Sequence, residues 1–334
     1  MARRDLIVIG GSAGAHAALR KILARLPADL PAAVLVATHL APGSRSVLAD
    51  MLARDSALPV RPAADGDPVR PGQVQVAVPN RHLLLGAGDV LRLSAGPREN
   101  GVRPAVDPLF RAAARWAGPR VIGVVLSGSL DDGAAGLATV TARGGAALVQ
   151  DPGDARFPGM PRAALAAVPS AMVAPAAELA KTITEWAGQP APEAGPSDEA
   201  LIWETDMMAE GRSELRPPGR PVALGCPECG GGMYELRTGQ AVHYVCHAGH
   251  AWSPKSFVAA RDDGVEEALW TAISAMQEKS TMLGEMAVHA DRTGDGPGGR
   301  AYRAESDRVR RAADLVRENL HRYAGPSPDA AAAD

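Results

Sequence analysis

Short apolar runs punctuated by glycine, proline and small polar residues recur over the first 187 residues, and between them apolar residues return every three or four positions. The runs Leu6–Ile9, Ala33–Ala37, Val121–Leu126, Ala146–Val149 and Ala171–Ala174 read as strands. Several are apolar throughout, as a strand is when helices cover both faces of its sheet. Helical spacing covers His16–Leu26, Ser44–Arg54, Asp107–Trp116, Gly133–Arg143 and Ala176–Trp186. The alternation predicts an α/β domain over residues 1–187, doubly wound around a mainly parallel sheet. Val74–Val78, His82–Leu85 and Val90–Leu93 break the rhythm. They are short and interrupted by Pro79-Asn80 and Gly86-Ala87-Gly88, which predicts a β-hairpin or meander attached to the sheet.

Beyond residue 187 the pattern changes. Gln189–Ser197 is rich in Pro, Ala and Gly, and Arg216–Pro221 carries three prolines. Residues 188–220 therefore read as a linker holding one short helix, Ala200–Ala209. A compact Cys/His segment follows over 221–262. Apolar residues at helical spacing (Leu269, Ile273, Met276, Leu283, Ala287) then mark Val265–Ala290, Gly294–Gly299 breaks the chain, and Tyr302–Tyr323 resumes the pattern. Two antiparallel helices over 263–324 are expected. A stripe of Met276, Met282 and Met286 is assigned to packing of that hairpin in preference to a partner groove. Residues 325–334 read as a disordered tail.

Composition narrows the classes. The hydrophobic fraction of 46% suffices for a core, but with aromatics at 4% the packing falls to Ala, Val and Leu. Against 38 acidic residues stand 35 basic ones, and a net charge of −3 argues against nucleic acid as the partner. No apolar run approaches the roughly 20 residues that span a bilayer, so no membrane insertion is expected. Arg3-Arg4 before an apolar run resembles the start of a secretory signal, but Asp5 and Gly10-Gly11 interrupt it too early. All three Cys fall within Cys226–Cys246, an odd number that points to a reduced, cytoplasmic setting and a metal. The oligomeric state is left open.

Three polar residues stand where predicted strands end: Ser12 after Leu6–Ile9, His39 after Ala33–Ala37, and Asp132 shortly after Val121–Leu126. In an open parallel sheet the carboxyl ends of the strands line the ligand crevice. If these strands are neighbours, a hydroxyl, an imidazole and a carboxylate converge there, which is the inventory of acyl transfer. Each has a plainer reading. Ser12 as a helix N-cap, Asp131 and Asp132 as caps of the helix near Gly133, His16 as a surface residue and His82 as a structural one are all open on the residues alone. Gly10-Gly11-x-Gly14 as a dinucleotide turn is weaker, because G-x-G-x-x-G is out of register and His39 stands where an acidic residue should.

At this point the first domain resembles the catalytic domain of the chemotaxis protein-glutamate methylesterases (CheB type). The resemblance covers about residues 4–175 in collinear order: VIGGSAGA at Val8–Ala15, ATHLAPG at Ala37–Gly43, PNRHL at Pro79–Leu83, RPAVDPLF at Arg103–Phe110, LSGSLDDGAAGL at Leu126–Leu137 and FPGMPRAAL at Phe157–Leu165. It implies Ser12 as nucleophile, His39 as general base, Asp132 rather than Asp131 as the triad carboxylate, and the backbone N–H groups of Ala13 and Ser129 as oxyanion donors. It also implies the reaction: hydrolysis of glutamate γ-methyl esters on methyl-accepting chemoreceptors, with glutamine deamidation as a variant. Two departures touch the groove. Ala15 replaces a common Gly, and Leu130-Asp131 replaces a Gly-Asn pair. Regulated members carry a receiver domain ahead of the catalytic one. Here the catalytic strand begins at Asp5, so a constitutively open enzyme, or control by other means, is expected. The competing expectation is a non-catalytic scaffold of the same fold in a signalling complex.

Cys226-Pro-Glu-Cys229 and Cys246-x-x-x-His250 give C-x2-C-x16-C-x3-H, a spacing suited to tetrahedral Zn²⁺ in a ribbon. Gly230–Gly232 allows the tight turn beside the first pair. His247, one residue after Cys246, is poorly placed to close the same tetrahedron. Similar ribbons accompany stand-alone domains of the resembled family, which favours His250. Four protein ligands make the expected zinc structural, with no cofactor for catalysis.

Overall fold

Leu6–Gly11 (β1) is buried along its whole length and lies at the centre of a parallel sheet, as a continuous apolar run should. The computed structural model describes residues 2–43, 47–195, 197–213 and 216–323. The first residues of the expected helix Ser44–Arg54 and the whole of the tail 325–334 lie outside them. The described residues up to Phe257 form one compact unit and those from Val258 onward another.

In the first unit the strands and helices run β1, α1 (Ala15–Leu23), β2 (Ala33–Thr38), α2 (Leu48–Ala53), β3 (Val60–Pro62) and β4 (Val74–Val76), then β5 (His82–Gly86), β6 (Val90–Ser94) and α3 (Val106–Trp116). β7 (Val121–Val125), α4 (Ala134–Ala142), β8 (Ala146–Gln150), α5 (Gly159–Ala167), β9 (Met172–Ala174) and α6 (Ala176–Trp186) complete the α/β portion. Seven described strands form one sheet in the order β3-β4-β2-β1-β7-β8-β9, every pairing parallel. The strand order runs outward in one direction from β1 to β2 and in the other from β7 to β8. The crevice of such a doubly wound sheet therefore lies at the carboxyl ends of β1 and β7.

Alternate residues of β1 feed two cores. Leu6 and Val8 join Phe110, Leu137, Val140, Met160 and Ala164 under α3, α4 and α5. Ile7 and Ile9 join Leu19, Ile22, Leu52, Leu179 and Ile183 under α1, α2 and α6. Each fully buried aliphatic side chain contributes about 1.5–3 kcal/mol.

Val74–Val76 corrects one expectation. It is not part of a meander but pairs in parallel with β2 and β3 inside the main sheet, and only β5 and β6 form the separate antiparallel hairpin. Its three residues are all buried between the layers. The Pro79-Asn80 turn, which suggested a hairpin, instead carries the chain out of the sheet. β3 and α5 carried no strong periodic signal. β3 is a three-residue edge strand, and α5 opens Gly-Met-Pro.

The stretch after residue 187 contains α7 (Glu199–Glu210), capped by the Asp198 side chain, which accepts from the Leu201 N–H at 2.8 Å. Trp203 and Met208 are buried, and Arg115 of α3 reaches Asp206 at 2.6 Å, so this helix is packed onto the α/β core. β10 (Arg220–Gly225), β11 (Gly232–Thr238), β12 (Ala241–Cys246) and β13 (Ala251–Trp252) form an antiparallel sheet in the same unit. Next comes α8 (Pro254–Arg292).

In the second unit α8 runs antiparallel to α9 (Gly296–Tyr323), with Lys279 paired to Glu305 and Asp291 to Arg303. Ile273, Ala287, Ala290 and Ala313 are buried, whereas Met282 and Met286 of the expected stripe are exposed. No helix among the described residues is long and apolar enough to cross a membrane.

Candidate active site

The end of β1 is built for close approach. A Cβ on Gly10 would sit 2.0 Å from Val106 Cγ1, and one on Gly11 would sit 2.5 Å from Ala15 Cβ. Gly14 caps α1 at φ 77°, a left-handed conformation that glycine adopts without strain. These three glycines let the chain turn straight from strand to helix and leave Ser12 between them. The Ser12 N–H donates to Ser127 O at 2.9 Å. Ser127 Oγ donates to Ala13 O at 2.8 Å and accepts from the Phe157 N–H at 3.0 Å, stitching the turn to the loops after β7 and β8. Ser12 Oγ takes no part in this lacing and faces His39.

Ser12 Oγ lies 3.0 Å from His39 Nδ1, and His39 Nε2 lies 2.7 Å from Asp132 Oδ2. A carboxylate accepts only, so Nε2 carries the ring proton and Nδ1 presents its lone pair to the serine hydroxyl. Asp132 is buried to 2% exposure and fully engaged. Its Oδ2 also accepts the Val106 N–H at 2.7 Å, and its Oδ1 accepts the Asp107 N–H at 3.1 Å and an Asn100 amide N–H at 3.4 Å. Two of these donors are free N–H groups at the start of α3, where a helix favours negative charge. Burial pulls the Asp132 carboxyl up, but the His39 hydrogen bond and charge and the two backbone donors overcome it and hold it at about 2.

The neighbouring acids behave differently. Asp131 turns away from His39: its Oδ1 accepts from Ser253 Oγ and, at 3.3 Å, from Ser256 Oγ at the start of α8. Asp107 Oδ1 accepts the Gly136 N–H at 2.6 Å, and burial, followed by the Asp132 charge, drives its carboxyl well above the usual range. The geometry therefore joins Asp132, and not Asp131, to the imidazole. Ala13 and Ser129 flank Ser12 on its two loops. Among the described residues neither N–H has a hydrogen-bond partner, which leaves both available to an anionic oxygen. Gly128 brings the second loop close, since a Cβ there would stand 3.0 Å from Ser12 Cβ. His16 is exposed. His82 is buried, with Nε2 at 3.0 Å from Pro97 O, and burial lowers its pKa to about 4.

Leu130, one of the two departures noted in the sequence, adopts φ 59°. A branched side chain in the left-handed region is strained, so this turn carries a cost next to the site. Asn100 is the residue near the site that sequence reasoning missed. It belongs to an Asn-Gly turn, an ordinary signal with nothing in it that ties the amide to a carboxylate 32 positions away.

At the ribbon, Cys226, Cys229, Cys246 and His250 place their ligand atoms within 4.8 Å of one another. Cys229 Sγ and Cys246 Sγ are 3.7 Å apart, and Cys246 Sγ is 3.6 Å from His250 Nδ1. A tetrahedral zinc with Zn–S bonds of about 2.3 Å sets sulfurs about 3.8 Å apart, so the donor set fits that ion. Glu228 Oε1 stands 3.7 Å from His250 Nε2, close enough for a favourable charge but beyond hydrogen-bond distance. Burial and the adjacent Cys226 push the Cys246 thiol up to about 12. His247 packs on Gly231, where an added Cβ would fall 2.4 Å from its ring, and it is outside the cluster.

A sequence signature described as CheB methylesterase matches residues 7–183. A protein-glutamate methylesterase/protein-glutamine glutaminase of Anaeromyxobacter dehalogenans is 44% identical over 184 residues, 55% of this chain and 54% of that protein. One from Symbiobacterium thermophilum is 42% identical over 186 residues, 56% of this chain and 51% of its own. The crystal structure of the Thermotoga maritima CheB methylesterase catalytic domain superposes with a TM-score of 0.53 at 33% identity, covering 54% of this chain and 97% of that one. The chain thus spans about half the length of these two curated relatives.

Proposed function

The chain belongs to the CheB methylesterase family, and we propose that it is a cytoplasmic serine hydrolase that removes methyl esters from glutamate side chains of a methyl-accepting chemoreceptor or a related signalling protein. The observation that carries the reading is the unbroken run of hydrogen bonds from Ser12 Oγ through His39 to Asp132, which follow β1, β2 and β7 respectively. A nucleotide site at the Gly-rich turn leaves that run without a purpose.

Chemistry follows from the tautomer. Ser12 Oγ attacks the ester carbonyl as its proton passes to His39 Nδ1, and the buried Asp132 charge stabilises the imidazolium through Nε2–H. The carbonyl oxygen, now anionic, is held by the Ala13 and Ser129 N–H groups. Collapse of the tetrahedral adduct expels methoxide, which takes the proton from His39 Nδ1 and leaves as methanol. Water then attacks the acyl-serine with His39 again as base, releasing the glutamate carboxylate and restoring Ser12. With a glutamine substrate the same route expels ammonia.

Zn²⁺ held by Cys226, Cys229, Cys246 and His250 is the ion we assign to the ribbon, in a structural role and with no part in the acyl transfer. Methanol release from a methylated receptor, wild type against Ser12→Ala, tests the esterase. The expected result is loss of at least about 10³-fold in the variant. Equal turnover in both, or none in either while the receptor binds, removes the enzyme and leaves a scaffold.

A further inference from the structure

Asn100 sits in the loop between β6 and α3 at φ 54°, a conformation Asn tolerates better than most residues. Its surroundings come from the ribbon. The Asn100 N–H donates to Ala251 O at 2.8 Å, and the Ser253 N–H donates to Asn100 Oδ1 at 2.8 Å. That second bond fixes which end of the amide faces which way. With Oδ1 committed to Ser253, the amide can turn only donors toward Asp132, and Nδ2 lies 3.4 Å from Asp132 Oδ1. The Asp107 N–H holds the same oxygen, so the two donors keep the carboxylate plane turned with Oδ2 on His39.

Ser253 itself is held from both sides. Its hydroxyl donates to Asp131 and accepts from the Ser256 N–H at 3.1 Å, capping α8. Upstream, β13 leaves the metal cluster directly at His250 and pairs with β12 through Val245–Ala251 and Tyr244–Trp252, while the Cys246 N–H donates to His250 O at 3.0 Å. A second strut is wholly buried. Arg111 of α3 pairs with Glu99 and lies 3.4 Å from Glu204 of α7, which in turn is 2.6 Å from His243 Nε2 of β12.

We propose that Asn100 is a positioning residue for the Asp132 carboxylate, and that the ribbon sets its amide through Ser253, so that the metal cluster supports turnover from outside the active site. This rests on the esterase and zinc readings above. Asn100→Gly keeps the left-handed backbone and removes the amide from both Asp132 and Ser253.

The test uses the full chain and a helical peptide bearing one glutamate γ-methyl ester, with methanol as the readout and zinc content measured on every sample. Asn100→Gly is expected to lower kcat roughly tenfold, the loss of one hydrogen bond to a charged group, with KM held within about twofold. Stripping zinc under reducing conditions is expected to lower wild-type kcat by a similar factor and to add nothing in Asn100→Gly. The low-field proton of His39 Nε2–H in the NMR spectrum is expected to move in both cases. Wild-type kcat in Asn100→Gly overturns the proposal. So does an equal loss on zinc removal in both backgrounds. If the chain binds no zinc, the metal reading fails and Asn100→Gly alone decides the positioning role. If the wild type leaves the peptide intact, the esterase reading fails and the Nε2–H signal decides: unmoved in Asn100→Gly, it overturns the positioning role.

Discussion

Replacing Asp132 by Asn removes one charge and nothing in volume, so its effect isolates what the carboxylate supplies. Both oxygens of Asp132 face donors: Oδ2 meets His39 Nε2–H and the Val106 N–H, and Oδ1 meets the Asp107 N–H and the Asn100 amide. An amide has only one oxygen. If its NH2 group takes the Oδ2 place, it opposes the Val106 N–H and forces His39 Nε2 to accept, moving the ring proton to Nδ1, where it confronts Ser12. The base is then lost. If the NH2 takes the Oδ1 place, the buried Asp107 N–H and the half-buried Asn100 amide oppose it, and the imidazolium has no counter-charge. Either placement leaves at least one buried donor unpaired, at about 1–3 kcal/mol of stability.

The carboxyl is held at about 2 against its usual 3.8, which corresponds to about 2 kcal/mol in favour of the ionised form. Because the folded value is the lower one, that contribution is complete above the unfolded pKa and is lost as pH falls toward 2. Asp132→Asn should therefore lose the acid-side dependence as well as activity. The expected fall in methanol release is about 10⁴-fold at neutral pH, the size typical of a triad carboxylate changed to its amide. Asp131→Asn is the matched control. Asn there still accepts from Ser253 Oγ, and its effect should stay within about threefold. Nitrogen NMR of labelled His39 reports the tautomer directly. Asp132→Asn retaining activity within tenfold of wild type, or Asp131→Asn matching its damage, refutes the reasoning.

Three further outcomes are expected. Asp107 is raised above its usual 3.8 by burial first and by Asp132 second, so its favourable contribution is complete below that value and is lost as pH rises through the folded pKa. Asp107→Asn keeps an acceptor for the Gly136 N–H and should gain stability over wild type by a margin that grows from pH 4 to pH 7.5 in denaturant titrations; equal destabilisation at both pH values contradicts this. Leu130→Gly relieves a left-handed leucine and should stabilise by about 1 kcal/mol, read as a rise in Tm, whereas a fall would mean the leucine side chain contributes more than its backbone costs. Cys229→Ser should lower bound zinc from one per chain to near none in elemental analysis, and retained stoichiometry removes Cys229 from the ligand set.

The parallel sheet was legible because strands buried on both faces carry unbroken apolar runs, as Leu6–Ile9 and Val121–Leu126 do. Ser12, His39 and Asp132 could be singled out because each follows such a run, and topology brings the ends of neighbouring parallel strands together. Val74–Val76 was misplaced because three residues hold too little pattern to separate a sheet strand from a hairpin arm. The packing of α7 was hidden by its setting among proline-rich stretches, although Asp198 is an ordinary N-cap signal. Asn100 was invisible for a different reason. Its partners lie 32 and 153 positions away, and no local period reports contacts at that separation. The same holds for Asp131, whose carboxylate reads as a helix cap in sequence and reaches Ser253 in space.

The relay from Ser12 through His39 is the claim on which the rest depends, and a fluorophosphonate probe tests it most directly. Mass spectrometry of the digested chain should find one adduct, on Ser12, forming at least about a hundredfold more slowly in His39→Ala, as expected when a general base is removed. An unmodified Ser12, or one that reacts as fast without His39, contradicts the account.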